Sequence, residues 1–179
     1  MDEDMMSELT LLQLQVVDFF NPNESSALDY FFIFMSFFGD WKILGGLSFL
    51  ALLKDKNLGR RLLLLLIVTG ALLLPLKTFV WEDRPYLVSE NIRGIGEPGS
   101  TSSLPSGHAT FAFAYATVLG NVYSRRRYFY AFAFLIAVFR IYLGQHYPSD
   151  VIFGAGLGMV SGYSTNYLYS KKEVFLWNR

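Results

Sequence analysis

The sequence contains no cysteine, and only two of its 179 residues are histidine. The absence of cysteine excludes disulfide bonds, thiolate nucleophiles and zinc sites with sulfur ligands, but it leaves the redox compartment open. A net charge is also lacking, because 15 basic residues balance 15 acidic ones. The total charge therefore says nothing about nucleic-acid or acidic partners, and only the positions of the charges are informative.

Apolar and aromatic side chains are abundant: 53% of the residues are hydrophobic, 17% are aromatic, and the mean hydropathy is +0.33. A soluble core of this size does not need so many, which favours a membrane protein. Four apolar stretches are long enough, or nearly so, to cross a hydrocarbon layer of about 30 Å as helices, and a fifth is marginal. In chain order, beginning with the marginal one, the five predicted spans are Trp41 to Leu53, Leu62 to Val80, His108 to Tyr123, Tyr128 to Leu143 and Val151 to Leu168.

Two shorter segments precede the predicted spans and mix polar with apolar residues. Leu9 to Phe20 and Ser26 to Phe38 are separated by Asn21-Pro22-Asn23, and we expect both to be amphipathic helices lying in the membrane interface. No internal repeat or linker divides the chain. The predicted organisation is an all-α membrane bundle, with interfacial helices in residues 1–40, a membrane-spanning core in residues 41–170 and a cytoplasmic tail in residues 171–179.

Basic residues occur in three groups, and their positions predict the orientation of the bundle. With five spans, the three groups fall on one side, which should be the cytoplasmic side. The two remaining connections, Trp81 to Ser106 and Gly144 to Ser149, then face the opposite side together. The basic groups are Lys54, Lys56, Arg60 and Arg61; Arg125 to Arg127; and Lys171 with Lys172.

Lys77 and Arg84 are seven residues apart, which equals two helical turns. If the helix continues to Asp83 before Pro85 stops it, both cations leave the same helix face at the membrane surface and form a clamp for an anion. The plainer interpretation is that both are interfacial anchors whose charged ends reach toward water.

Pro105-Ser106-Gly107-His108 precedes a long apolar helix. Ser106 suits the N-cap position, and Gly107 leaves the backbone open to a ligand. Free N–H groups at such a helix start bind phosphate. Alone, however, the tetrapeptide is also compatible with an ordinary capped helix that carries a surface histidine.

Arg140 lies near the end of another apolar helix, and Gln145-His146-Tyr147-Pro148-Ser149-Asp150 follows Gly144, a plausible helix C-cap. Pro148 suits the first position of the next helix, which places Asp150 in the first turn with its carboxylate able to reach His146. A carboxylate on one imidazole nitrogen fixes the tautomer and presents the other nitrogen as a nucleophile. The alternatives are a helix start stabilised by an acid and an arginine that complements a helix C-terminus.

Gly154, Gly158 and Gly162 recur every four residues in the last predicted span. A stripe of small residues lets two membrane helices approach closely. Because Asp150 lies at the head of this stripe, we expect the packing of this helix to set the direction of its carboxylate.

Together, Lys77-x6-Arg84-Pro85, Pro105-Ser106-Gly107-His108 and Arg140-x5-His146-x3-Asp150 resemble the three-part signature of the type 2 phosphatidic acid phosphatase family. Ten positions in three blocks agree, and the resemblance extends from about Asp29 to Leu168. One position differs: the family usually has serine before the arginine of the third block, whereas this chain has Phe139. Phe139 has no hydroxyl for the phosphate contact that this serine implies.

The resemblance implies a metal-independent phosphatase that hydrolyses a phosphate monoester or pyrophosphate on a membrane lipid through a phosphohistidine intermediate. It implies that His146 is the nucleophile, that Asp150 orients it, and that His108 is the acid and later the base. The implied phosphate-binding residues are Lys77, Arg84, Ser106, Gly107 and Arg140. Substrates of related small enzymes include lipid A 1-phosphate, undecaprenyl pyrophosphate and phosphatidylglycerophosphate.

The same resemblance implies a multi-pass protein of the inner cell membrane whose active site opens on the periplasmic face. The expected partners are the bilayer and the lipid phosphate substrate, with no cofactor, no nucleic acid and no obligatory protein partner. Two alternatives remain open: a lipid phosphotransferase on the same scaffold and a non-catalytic lipid-binding membrane protein. A soluble vanadate haloperoxidase shares the signature, but the predicted spans argue against it.

Overall fold

The computed structural model describes residues 3–21, 26–96, 99 and 102–177. Pro22 and Asn23, between the two predicted interfacial helices, lie outside the described residues. So do Glu97, Pro98, Ser100 and Thr101 in the predicted connection Trp81 to Ser106 (the site loop), and the side chain of Lys172. The described chain is helical and contains no strand, which confirms the predicted all-α class. Its helices are α1 (Glu3–Phe20), α2 (Ser26–Ser36), α3 (Trp41–Lys54), α4 (Lys56–Phe79), α5 (Pro85–Val88), α6 (Gly107–Val122), α7 (Arg126–Tyr142) and α8 (Pro148–Trp177).

Two aspartates set the starts of α3 and α4. Asp40, which follows a 3-10 turn at Phe37–Gly39, accepts a hydrogen bond from Lys42 N at 2.7 Å. Asp55 accepts from Asn57 N at 2.9 Å and is the only residue between α3 and α4. Because an N-cap carboxylate satisfies the free N–H groups of the first turn, the chain can reverse at Asp55 without a longer loop.

Of the described helices, α4 is by itself long and apolar enough to cross a membrane. The segments Ala27–Gly39 and Trp41–Lys54 meet this criterion only as a pair, and a bend of 52° separates them. The predicted count of five spans therefore stays a prediction. Large apolar side chains are exposed along several helices, as expected of surfaces that face lipid; they include Phe49, Leu53, Ile67, Leu74, Phe134 and Ile152.

α6 lies at the centre of the bundle, where α4, α7 and α8 pack against it. Its approach to α8 depends on the predicted glycine stripe. A Cβ atom at Gly154 would lie 2.7 Å from Ser106 O, and one at Gly158 would overlap Thr110 O. The structure thus confirms that the stripe is a close helix contact, and this contact places the start of α8 beside the start of α6.

The end of α4 differs from the prediction. α4 ends at Phe79 rather than Asp83, and residues 80–84 are not helical. Arg84 is extended, with φ −76° and ψ 151°, because a residue before proline is disfavoured in the helical region. Lys77 and Arg84 therefore do not share a helix face, and Pro85 begins α5 instead of ending α4.

Candidate active site

The predicted site residues come from distant parts of the chain and meet at one end of the bundle. His108 lies within electrostatic reach of Lys77, Arg84, Arg140 and His146. Asp150 interacts with both Lys77 and Arg84. The structure thus brings the three sequence blocks together, whereas the chemical role of each residue stays a prediction.

His146 and Asp150 form a buried pair. Their side chains are 2% and 0% exposed, and His146 Nδ1 lies 3.3 Å from Asp150 Oδ2. Asp150 is in the first turn of α8, as predicted. With Nδ1 turned toward the carboxylate, Nε2 is the nitrogen that points away from Asp150.

The same carboxylate oxygen is held by two further donors. Tyr147 N donates to Asp150 Oδ2 at 2.8 Å, and Ser103 Oγ donates to it at 2.5 Å. Ser106 N also donates to the main-chain oxygen of Asp150 at 3.1 Å. These bonds tie the loop before α6 to the start of α8, so the direction of the carboxylate is fixed by the fold.

Burial lowers the pKa of His146 to about 3. The hydrogen bond to Asp150 opposes this shift, and the positive charge of Arg140 adds to it. The lowered pKa of His146 suits a nucleophile, because the imidazole is neutral throughout the physiological pH range and one nitrogen keeps its lone pair.

Three cationic side chains surround this pair, and they differ in their hydrogen bonds. Lys77 Nζ donates to Ser102 O at 2.7 Å. Arg84 Nη1 donates to Gln145 O at 3.1 Å and to Gln145 Oε1 at 3.2 Å. Arg140 Nε is buried and has no hydrogen-bond partner among the described residues. Neither Lys77 nor Arg140 forms a salt bridge with a described carboxylate, so an anion entering here would find positive charge that is not already neutralised.

The start of α6 lies beside these cations. Ser106 is its N-cap, as predicted, and accepts a hydrogen bond from Ala109 N at 3.4 Å. A Cβ atom at Gly107 would lie 3.8 Å from Lys77 Cε, so the helix N-terminus and the lysine are neighbours. Backbone N–H groups and an ammonium group together favour a bound phosphate.

Several residues at the site were not predicted. Ser103 and Gln145 support Asp150 and Arg84, and Gly99 lies so close to Arg84 that a Cβ atom would overlap the guanidinium. Asn21, 1% exposed, bonds to Arg93 N, Arg93 O and Tyr142 O and so ties the end of α1 to the chain around the site. No sequence pattern signals these contacts, because each joins segments that are far apart in the chain.

Phe139, the position that departs from the family signature, is 8% exposed and packs against α2. Its ring stacks on Phe32 with centroids 4.6 Å apart, and Phe32 also contacts Tyr142 edge to face. Beside this stack, Asp29 accepts hydrogen bonds from Arg93 and from the Tyr142 hydroxyl. The side chain at 139 thus holds α2 against α7.

Comparison with known proteins agrees with this arrangement. A profile of the PAP2 superfamily matches residues 58–173. Among solved structures, LpxE from Aquifex aeolicus has a TM-score of 0.77 and 30% identity, covering 87% of this chain and 95% of that chain. The PAP2-type phosphatidylglycerolphosphate phosphatase from Bacillus subtilis has the same fold, with a TM-score of 0.69 and 21% identity over 92% of this chain and 87% of that chain. No curated protein matches the sequence.

The family match covers well over half of the chain and includes all three signature blocks. It confirms the predicted resemblance and, together with the similarity to LpxE, supports a membrane lipid phosphatase. The chain belongs to the PAP2 superfamily.

Proposed function

We propose that this protein removes phosphate from a membrane lipid through a phosphohistidine formed on His146. One observation carries the proposal: a buried, neutral imidazole is held by Asp150 through Nδ1, among three cations from separate elements. Such a group can attack phosphorus only if the charge of the phosphate is neutralised nearby. Lys77, Arg84 and Arg140 supply that neutralisation, and the three fixed cations take the place that metal ions have in many phosphatases.

In the first step, His146 Nε2 attacks phosphorus while Nδ1–H donates to Asp150. The bond between phosphorus and the lipid-side oxygen breaks. His108, which carries a proton once the bound phosphate dianion offsets the charge of the neighbouring cations, gives that proton to the leaving oxygen. The cations and the N–H groups at the start of α6 hold the remaining phosphate oxygens.

In the second step, water attacks the phosphorus of the phosphohistidine. His108, now neutral, takes a proton from the water, and the P–N bond breaks toward His146. Phosphate leaves and both histidines return to their starting states, so the cycle consumes one water and releases one phosphate.

An apolar cavity of about 200 Å³ supports the proposal that the substrate is a lipid. It lies between α3, α6 and α7, and the face of α6 that lines it continues from His108: Ala112 and Ala116 follow one and two turns further along. On α7, Ile136 and Phe132 lie one and two turns from Arg140 in the same way. We propose that one hydrocarbon chain of the substrate lies here while its phosphate reaches the site.

The basic groups support a periplasmic site in the inner membrane. α4, α6 and α8 each have one end at the site, and the opposite ends carry the positive charge that marks a cytoplasmic side. These groups are Lys54, Lys56, Arg60 and Arg61; Arg125 to Arg127; and Lys171. The same pattern supports residues 41–170 as the membrane core, with interfacial helices before it.

A substrate panel tests the proposal directly. Purified protein in lipid or detergent should release phosphate from at least one of lipid A 1-phosphate, undecaprenyl pyrophosphate and phosphatidylglycerophosphate, and the release should persist in EDTA. Activity that disappears with EDTA and returns with magnesium would contradict the three-cation mechanism. If no lipid phosphate is cleaved, the protein is a lipid binder instead.

A further inference from the structure

The carboxylate of Asp150 has one oxygen fully engaged and one without a visible donor. Oδ2 accepts from Tyr147 N and Ser103 Oγ and lies 3.3 Å from His146 Nδ1. Oδ1 is buried and has no hydrogen-bond partner among the described residues. A buried carboxylate oxygen without a donor is costly, so a group able to donate to Oδ1 would stabilise the pair.

Glu82 is held near Asp150 by the hydrogen bonds of its own backbone. Ser103 N donates to Glu82 O at 2.8 Å, and Glu82 N donates to Ser102 Oγ at 3.1 Å. Because Ser103 also binds Asp150, the two acidic residues are linked through one serine. The Glu82 side chain is partly buried and lies near the Asp150 carboxylate, so a proton on Glu82 would allow a hydrogen bond between the two.

Two carboxyl groups can share such a contact only if one of them carries a proton. Burial, together with the negative charge of Asp150 and the hydrogen bond to it, raises the pKa of Glu82 to about 7. Tyr147 also faces the pair, and burial with the charges of Glu82, Asp150 and Asp83 raises its pKa to about 12, so it is uncharged. Burial raises the pKa of Asp150, but the interactions with His146, Ser103 and Tyr147 N outweigh burial and lower it, so Asp150 is the ionised member. Lys77 from α4 and Arg84 also face Asp150.

We propose that Glu82 is a positioning residue: its protonated carboxyl donates a hydrogen bond to Asp150 Oδ1 and completes the set of donors that orients the carboxylate behind His146. This inference rests on the proposed function, because it assigns Glu82 to the same reaction. When Glu82 ionises, the donor is lost and a second negative charge lies beside the site. Phosphate transfer should therefore weaken as the pH rises through about 7.

The test compares two replacements of Glu82 with one replacement of its neighbour. Glu82→Gln keeps a donor but cannot ionise, and Glu82→Ala removes the donor. Asp83→Asn is the matched control, because Asp83 is exposed and bonds only to Trp81 Nε1 among the described residues. The measurement is kcat/KM for lipid phosphate between pH 5.5 and 8.5.

Divided by the kcat/KM of the wild type, the kcat/KM of Glu82→Gln should rise as the pH passes about 7, whereas that of Asp83→Asn should stay constant, because the other groups of the site titrate alike in all three proteins. At pH 6, Glu82→Ala should be slower than Glu82→Gln by on the order of tenfold, the size expected for one hydrogen bond to a charged group. The inference is overturned if Glu82→Gln declines above pH 7 like the wild type, or if Glu82→Ala matches the wild type at every pH.

Thermal stability provides a second readout that does not depend on catalysis. A carboxyl whose pKa is raised by folding contributes stability that is present at low pH and is lost as the pH rises toward about 7. The melting temperature of Glu82→Gln minus that of the wild type should therefore increase from pH 5 to pH 8, while the contribution of His146 cancels in the difference. A constant difference would contradict the role of Glu82, and absent phosphate release with an increasing difference would contradict only the proposed function.

Discussion

The two histidines have different surroundings, and we therefore expect their substitutions to affect catalysis differently. His146 is 2% exposed and bonded to Asp150, whereas His108 lies in the first turn of α6 and makes no side-chain hydrogen bond to another described residue. The loss of a nucleophile cannot be compensated by a substrate with a better leaving group. The loss of a general acid can be compensated in this way, because a leaving group that departs without a proton does not need the acid.

We therefore predict that His146→Ala lowers kcat by at least about a thousandfold for every substrate. His108→Ala should lower it by about a hundredfold or more for a lipid phosphate. With 4-nitrophenyl phosphate, His108→Ala should release a burst of nitrophenolate and accumulate phosphohistidine, because only the second step still needs a base. Stopped-flow absorbance and acid-quench detection of the labelled protein measure both. A burst from His146→Ala would reverse the two roles.

For single residues, the sequence predicted those positions that depend on local structure. Ser106 caps α6 and Asp150 lies in the first turn of α8, because helix-start preferences act over three or four residues. Glu82 and Ser103 were not predicted, since their contacts require residues 80–84 to meet residues 102–106. Phe139 was interpreted only as a missing serine, whereas its partner Phe32 lies more than a hundred residues earlier.

Among the helix contacts, the one between α6 and α8 brings the site residues at the starts of these two helices together. Both helices begin there, and the glycine stripe sets the distance between them. The seven-residue spacing of Lys77 and Arg84 led to a wrong helix end, because the same spacing arises from a helix end followed by an extended segment. A periodic stripe along a whole helix is thus a safer predictor than one pair of residues at a helix terminus.

Alanine substitutions in α8 test this contact with a control from the same helix. Gly158→Ala places a Cβ atom against Thr110 O and should destabilise the protein by about 1–3 kcal/mol, although alanine is the better helix former. Gly156→Ala gains the same helix propensity and has nothing within 4 Å, so its melting temperature should equal or exceed that of the wild type. Thermal unfolding in one detergent compares the two. Equal melting temperatures would contradict the close contact.

For the whole molecule, the absence of cysteine is an experimental advantage, because a single introduced cysteine can be labelled without background from other thiols. Ser102 in the site loop is 0% exposed and is a poor position for labelling. Glu90 on the site side and Arg125 at the far end of α6 are both exposed. We predict that an impermeant maleimide labels Glu90→Cys on intact spheroplasts but labels Arg125→Cys only after lysis. The reverse pattern would invert the proposed topology.

The apolar cavity leads to a prediction about substrate chain length, because we propose that the hydrocarbon chain of the substrate lies in it. Ala116 lies two turns along α6 from His108, 3% exposed, at the wall of the cavity. A phenylalanine there would fill space that the hydrocarbon chain should occupy. Each methylene group kept out of an apolar site costs about 0.8 kcal/mol, so excluding two or three of them should lower kcat/KM for a long-chain lipid phosphate at least about tenfold.

The decisive comparison is between long-chain and short-chain substrates of the same head group. Ala116→Phe should lower kcat/KM for the long-chain lipid and should affect a short-chain phosphate much less, because the short chain does not reach the second turn below His108. Ala131→Phe is the matched control, since Ala131 is exposed on α7 and does not line the cavity. It should not change the ratio of the two values. An equal loss for both substrates in Ala116→Phe would mean that the substitution disturbs the site itself, and the hydrocarbon chain would then lie elsewhere on the bundle.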